Sequence, residues 1–299
     1  MILAAIDIGS NAARLLVVEA KPYHAEGIDF TKLNLLRIPL QLGIDVFDHG
    51  TIGPQRSLKL LQTMKAFKSI MELYEVQQYR ACATSAMRDA RNTAELIAEI
   101  KQETGIGIEV ISGMEEASIV YETHIAETIS QDNGAFLYVD VGGGSTEVSL
   151  FNGQRALSKE SFNIGTIRLM QGKVLDRDWD ALKKFLKQAA REFPKMKFIG
   201  SGGNINKVYS LSKSKDDKPL KYQTLKKLME ALEQCSVSER MHRYKLREDR
   251  AQVIVPALTI YTQMMRWSGT EEVFVPRIGL VDGIVRMLYK QSFPKPEQG

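Results

Sequence analysis

The chain has 299 residues, long enough for two domains rather than one core, and its 44% hydrophobic and 25% charged residues exclude a disordered or fibrous protein. Forty Lys and Arg against 36 Asp and Glu leave a formal charge of +4, too weak to argue for nucleic-acid binding but compatible with a local anion-collecting face. No run approaches the roughly 18 apolar residues of a membrane span, and the start lacks the basic segment and small-residue cleavage site of a signal peptide.

Residues 2–8, an apolar run broken only by Asp7, predict a strand ending in a turn at Gly9-Ser10, and residues 13–20 return as a second strand. Strand-like sequence at 33–42 is followed by a turn at 50–54. A helix is then expected over 55–73, with Leu58, Leu61, Met64 and Ile70 on its apolar face. Strands at 79–84 and 106–111 alternate with helices at 90–101 and 115–126, which implies a partly parallel sheet with covered faces. At 135–145 the opening pattern returns, with residues 146–151 as the outgoing strand and Asn152-Gly153 as a hairpin turn. Aligning Asp7 on Asp140 sets Gly9 on Gly142, each in a strand–turn–strand setting, so the chain reads as an internal duplication. Beyond it come helices at 166–175 and 179–191, a strand at 197–201 and a helix from Asn204. A polar loop at 212–219, helices to Trp267, a strand at 272–275 and a last helix at 280–289 complete the chain. The expected organisation is mixed α/β, with two duplicated lobes at 1–120 and 121–284 and a final helix, about 285–299, packing back on the first.

The two Asp-x-Gly turns carry the chemistry. Glycine lets the backbone come close to an anion, and consecutive N–H groups in such a turn form a concave donor set for phosphate oxygens. Gly9, Ser10 and Asn11 in the first turn, and Gly142, Gly143, Gly144 and Ser145 in the second, are the candidate phosphate ligands, with Thr146 as a further donor. Asp7 and Asp140, at strand ends beside these turns, suit Mg²⁺, which takes one or two carboxylates plus waters and phosphate oxygens; Mn²⁺ is an alternative. Taken alone, the three glycines also satisfy a plain tight turn; a second copy at Asp7 favours the anion reading. Cys82 and Cys235 form no disulfide framework, and four scattered histidines have no zinc spacing, so a reducing cytoplasmic setting is expected and zinc or acyl-enzyme hydrolysis is not.

Ser112, three residues before Glu115, spells a capping box that occupies Glu115 at a helix start and leaves Glu116 without an assigned task. Two solvated first-turn acids, favoured by the helix dipole, are the better reading of the pair from the residues alone.

Asp7-Ile-Gly-Ser-Asn-Ala-Ala-Arg14 and Asp140-Val-Gly-Gly-Gly-Ser-Thr-Glu147 resemble the two phosphate motifs of the exopolyphosphatase/guanosine-pentaphosphate phosphatase family, in the actin, Hsp70 and sugar-kinase superfamily. Further similar segments are Ala83-Thr-Ser-Ala-Met-Arg88, Ile111-Ser-Gly-Met-Glu-Glu-Ala117, Gly165-Thr-Ile-Arg168, Gly200-Ser-Gly-Gly-Asn204, Arg250-Ala-Gln-Val-Ile-Val-Pro256 and Gly279-Leu-Val-Asp-Gly283, covering nearly the whole chain. The resemblance implies two ribonuclease-H-like (actin-like ATPase) domains flanking a cleft, and Mg²⁺-dependent release of orthophosphate from the end of polyphosphate. It makes Glu116 the catalytic base, Glu147 a metal ligand or helper of the water, and Arg88 a phosphate ligand, where a helix-start ion pair with Asp89 or Glu95 is the plainer reading. It also implies a homodimer. Conversion of pppGpp to ppGpp uses the same parts, and an ATP-binding switch or kinase of the superfamily is the alternative of another class, with Gly200-Ser-Gly-Gly-Asn204 as a possible adenine-pocket remnant. Lys207, Lys213, Lys215, Lys218, Arg243, Lys245, Arg247 and Arg250 are candidates for a polyanion track, or ordinary solvated surface. The family often continues its first motif with Ser-Phe where this chain has Ala12-Ala13, and larger members carry a long helical extension, so a preference for short chains or a nucleotide is expected here.

Overall fold

The structure, a computed structural model, describes residues 1–23, 27–116, 118–119, 134–153, 155–212, 218–276 and 279–293. The chain divides into two compact units, Met1–Ser112 with Leu280–Gly299, and Gly113–Gly279. The expected join at 120/121 lies outside the described residues, as do most of the helix expected over 115–126 and the middle of the loop at 212–219.

In the first unit, β1 (Ile2–Ile8), β2 (Ala12–Tyr23) and β3 (Gly27–Pro39) form an antiparallel meander, and β4 (Gln78–Ala83) and β5 (Ile108–Val110) add in parallel on the other side of β1. The order is β3-β2-β1-β4-β5. Alternation along β1 splits the side chains between two covered faces. Ala4, Ile6 and Ile8 join Ala13, Leu15 and Val17 in the core under α1 (Leu42–His49), α2 (Pro54–Leu73), α3 (Ser85–Asp89) and α4 (Thr93–Thr104). Leu3, Ala5, Leu16 and Val18 are equally buried on the opposite face. The last helix of the chain, Leu280–Ser292, belongs to this unit, anchored by a Lys32–Asp282 ion pair of 2.6 Å, a Ser292–Gln78 hydrogen bond and an edge-on Phe30–Tyr289 pair.

The second unit repeats the plan. β6 (Ala135–Val141), β7 (Thr146–Asn152) and β8 (Arg155–Phe162) form the meander, and β9 (Lys197–Ser201) pairs in parallel with β6. Beyond β9 lie β11 (Glu272–Phe274) and β10 (Leu220–Lys221), in the order β10-β11-β9-β6-β7-β8. Five helices, α5 (Thr166–Met170), α6 (Asp176–Glu192), α7 (Gly203–Ser212), α8 (Tyr222–Glu233) and α9 (Val237–Tyr244), surround it with α10 (Glu248–Ser268). The long α10 carries Ile254, Leu258, Tyr261, Met264 and Met265 into the core. The C-terminal helix Leu280–Ser292 is numbered α11.

Three local expectations are corrected. The apolar face of α2 is Leu60, Met64, Phe67 and Met71, at i, i+4, i+7 and i+11, whereas Leu58 is 56% exposed. Burying such side chains contributes about 1.5–3 kcal/mol each, so the heavier stripe, with Phe67, wins the rotation of the helix. The strand expected over 33–42 ends at Pro39, and Leu42 instead begins the helix Leu42–His49. The helix expected over 90–101 is Thr93–Thr104, and a short helix that was not expected, Ser85–Asp89, precedes it, the two parted where Ala90 adopts an extended ψ of 132°.

Candidate functional site

The two loops are built by the same hydrogen bonds. Gly9 N–H donates to the Ala12 carbonyl at 3.0 Å, and Gly142 N–H to the Ser145 carbonyl at 2.9 Å, the same step in each copy of the aligned motif. In the second loop every carbonyl is then held from behind. The N–H of Thr166 reaches the Gly142 oxygen at 3.0 Å, those of Ile167 and Arg168 reach the Gly143 oxygen at 2.8 and 3.2 Å, and Arg168 Nε reaches the Gly144 oxygen at 2.8 Å. A trans peptide points its C=O and the following N–H in opposite directions. The N–H groups of Gly143, Gly144 and Ser145 therefore point away from α5, which is the arrangement an anion needs. In the first loop the Ser10 oxygen accepts from Gly43 N–H at 2.9 Å and the Asn11 oxygen from Leu40 and Gln41 N–H at 3.1 and 3.0 Å, turning the N–H groups of Asn11 and Ala12 outward by the same logic.

Gly165 is what allows the second clamp. A Cβ there would lie 2.4 Å from the Gly143 oxygen and from Gly144 backbone atoms, so no side chain fits between α5 and the loop. Gly165→Ala is expected to cost about 1–3 kcal/mol through overpacking, read as a lowered urea midpoint with an unchanged slope.

The hydroxyls of the motifs have defined partners. Ser10 Oγ and Ser85 Oγ share a 2.8 Å hydrogen bond, tying the first loop to α3. Ser145 Oγ donates to Glu147 Oε1 at 2.6 Å. Thr146 Oγ1 donates to the Ile164 carbonyl at 2.5 Å, so its hydroxyl serves the approach to α5 and not the loop. Arg88 Nη1 donates to the Ile111 carbonyl at 2.8 Å, and among the described residues it makes no ion pair with Asp89 or Glu95. Of the suggested polyanion track, Arg243 pairs with Glu239 on its own helix and Arg250 Nη1 donates to the Gly203 carbonyl at 2.5 Å; Lys213 and Lys215 lie outside the described residues.

The duplication runs one step further than the loops. In register, Asp7 of β1 faces Arg14 of β2, and Asp140 of β6 faces Glu147 of β7. Directly opposed residues share a sheet face with Cβ atoms about 5 Å apart. In the first unit this makes an ion pair, Arg14 Nη1 to Asp7 Oδ2 at 2.5 Å. In the second it sets two carboxylates side by side, Glu147 being 2% exposed. Glu147 Oε1 accepts from both Ser145 and Ser161, the latter at 3.1 Å. A like-charge pair, Glu147 buried and Asp140 half-buried, suits a divalent cation, whose donor set would be two carboxylates completed by water and phosphate oxygens. Asp140 and Glu147 thus fit the ion; the Asp7 carboxylate is neutralised by its own neighbour. Among the described residues no group of three or more His, Cys, Asp or Glu side chains has a metal-binding arrangement.

Glu116 comes into this picture through Gly113. Residues 113–116 are helical, and a Cβ on Gly113 would lie 2.6 Å from Ser161 Oγ and 3.4 Å from Glu147 Oε1. The Gly113 face of the turn is therefore seated on Glu147. Glu116, three residues on, is about 60° from Gly113 around the helix and about one turn further along, while Glu115 is about 160° away. Glu116 is half-buried and lies nearer than Glu115 to the side of the turn seated on Glu147. Lys159 Nζ to Ser118 Oγ, 2.6 Å, ties the same helical segment to β8.

Gly113, Gly165 and Gly202 were not among the candidate residues. Each sits inside a motif quoted for resemblance, but the partner that makes it necessary lies far away in sequence.

Comparison with known proteins agrees with this architecture. The chain is 32% identical over 179 residues to a guanosine-5'-triphosphate,3'-diphosphate pyrophosphatase of Vibrio cholerae, a match covering 60% of this chain and 34% of that one. It is 32% identical over 149 residues, 50% of this chain and 42% of the relative, to exopolyphosphatase 1 of Mycobacterium tuberculosis. The crystal structure of an exopolyphosphatase from Cytophaga hutchinsonii superposes with a TM-score of 0.84 at 23% identity, covering 97% of this chain and 98% of that one, which shows that the two chains share a fold. The chain spans about a third of the length of the first curated relatives it matches. The family model for Ppx/GppA phosphatases, however, matches residues 22–291, and with both loop motifs in place the chain belongs to the Ppx/GppA phosphatase family.

Proposed function

We propose that this protein is a phosphoanhydride hydrolase that releases terminal orthophosphate from inorganic polyphosphate, with Mg²⁺ (or Mn²⁺) held by Asp140 and Glu147 and water activated by Glu116. The observation that carries the reading is the seating of the Gly113 turn on Glu147, which favours Glu116 over Glu115 as the acid on that side of the helix. Phosphoryl transfer asks little covalent chemistry of a protein; it asks for positioning, charge neutralisation and a base within reach of a water. The outward N–H groups of Gly143, Gly144 and Ser145 would bind the phosphate oxygens, and their fixed orientation spares reorganisation as charge shifts. When bound, the cation supplies neutralisation of phosphate charge. Ser145 and Ser161, donating to Glu147, hold that carboxylate in place. In the first unit, Gly9, Ser10, Asn11 and Arg88 present a second anion-binding surface, and Asp7 orients Arg14.

The names of the two relatives support two substrates, polyphosphate and pppGpp, which call for the same catalytic parts. The deciding assay is orthophosphate release from each, side by side, with Mg²⁺ and with Mn²⁺. Faster release from polyphosphate is the expected result; faster release from pppGpp would move the assignment to a pppGpp 5'-phosphohydrolase. No release from either with either metal would overturn the hydrolase reading. A homodimer in a cytoplasmic setting belongs to the same proposal. Among the described residues no helix is long and apolar enough to cross a membrane.

A further inference from the structure

We propose that Gly202 and Tyr261 are positioning residues that fix the carboxylate of Asp140 and so set how tightly the cation is held. The inference rests on Asp140 being a ligand for that cation.

Gly202 lies in the β9–α7 loop with φ +94°, a conformation that L side chains rarely adopt. A Cβ there would be 2.4 Å from Asp140 Oδ1, 3.3 Å from its Cγ and 3.5 Å from Oδ2. The bare backbone of Gly202 is therefore one wall of the space that holds this carboxylate, and any side chain would push it aside.

The wall is itself braced. Tyr261, fully buried on α10, donates its hydroxyl to the Ser201 carbonyl at 2.8 Å, the peptide group directly preceding Gly202. Ser201 is also the register partner of Asp140 across the β6–β9 pair. Asn204 Nδ2 adds a 3.2 Å bond to the Val141 carbonyl, closing the loop onto the residue that follows Asp140 on the same strand. Burial first, and then the nearby Asp140 charge, raise the Tyr261 phenol well above its ordinary range, so it stays a donor at any working pH. The ring is packed edge-on against Phe198, 6.3 Å between centroids, and keeps that packing without the hydroxyl. Tyr261→Phe thus removes the hydroxyl's bonds to the Ser201 carbonyl and the Val141 backbone and leaves the ring packing in place. In this arrangement the Gly200-Ser-Gly-Gly-Asn204 loop supports Asp140, a task that a search for a nucleobase pocket would miss.

The test is Mn²⁺ binding by electron paramagnetic resonance in the absence of substrate, on wild type, Tyr261→Phe, Gly202→Ala and Asp140→Asn, each checked for fold by circular dichroism. Removing support one layer behind a metal ligand typically weakens affinity about 10- to 100-fold, so Tyr261→Phe is expected near the lower end of that range and Gly202→Ala near the upper end. At saturating Mg²⁺ the KM for polyphosphate of Tyr261→Phe should match wild type, which general destabilisation would not predict. If Asp140→Asn loses Mn²⁺ while Tyr261→Phe binds it like wild type, the positioning role is wrong and the cation site stands. If Asp140→Asn binds as tightly as wild type, the cation lies elsewhere, and both fall. Should Gly202→Ala fail to fold, Tyr261→Phe alone decides.

Discussion

Glu116→Gln is expected to lower the rate of phosphate release by about 10²- to 10⁴-fold, the range for loss of a general base, and to leave the melting temperature within about 2 °C of wild type. The substitution keeps the size and one acceptor oxygen of a half-buried side chain, and removes only the capacity to take a proton. If Glu116 acts on the water alone, KM should change little, because the lost interaction belongs to the transition state. Glu115→Gln is the matched control: about 160° around the helix from the face seated on Glu147, it should keep most of the wild-type rate. Equal losses in the two variants would mean that both acids serve the helix and that the base lies elsewhere. A Glu116→Gln enzyme with wild-type turnover would end the assignment outright.

How much of this was legible beforehand depended on the range over which each residue acts. Asp7 and Asp140 announced themselves because the duplication repeats a whole local pattern, and aligning them also aligns Gly9 with Gly142 and, seven residues beyond the aspartates, Arg14 with Glu147. That last correspondence carries the difference in charge between the units. It takes its meaning only from the strand register, which the sequence states weakly. The glycines were harder. Gly165 and Gly202 are needed because of what lies within 2.4 Å of an added Cβ, namely the loop 22 and 21 residues upstream and the carboxylate 62 residues upstream; no local propensity reports such a contact. Helix α1 was missed for a local reason: its N-cap, Gln41, sits at φ +56° with no side-chain cap, and Gly43 and two β-branched residues weaken the helical signal. Gly43 is present because its N–H reaches the Ser10 carbonyl and an added Cβ would lie 2.7 Å from Phe47. There the requirement of the loop overrode helix propensity.

The charge pair of the second unit gives the other large expectation, and its sign separates a metal ligand from a structural acid. Glu147→Gln should melt at a higher temperature than wild type when both are free of divalent cations, yet lose the stabilisation that Mg²⁺ gives the wild type. Asp140 and Glu147 face each other on adjacent strands, and like charges directly opposed destabilise a sheet by about 0.2–1 kcal/mol. Glutamine removes that repulsion while its amide oxygen still accepts from Ser145 and Ser161, as Glu147 Oε1 does. A gain of this size shifts melting upward by about 0.4–4 °C. In the wild type a cation present at 100 times its dissociation constant adds about 2.7 kcal/mol, enough to raise melting by roughly 5–10 °C. The two curves should therefore cross: the variant is the more stable protein without Mg²⁺ and the less stable with it. Scanning calorimetry across a Mg²⁺ titration reads both limbs. A variant whose melting temperature still climbs with Mg²⁺ as the wild type's does would show that Glu147 only anchors the hydroxyls of Ser145 and Ser161, and that Asp140 finds its cation without it.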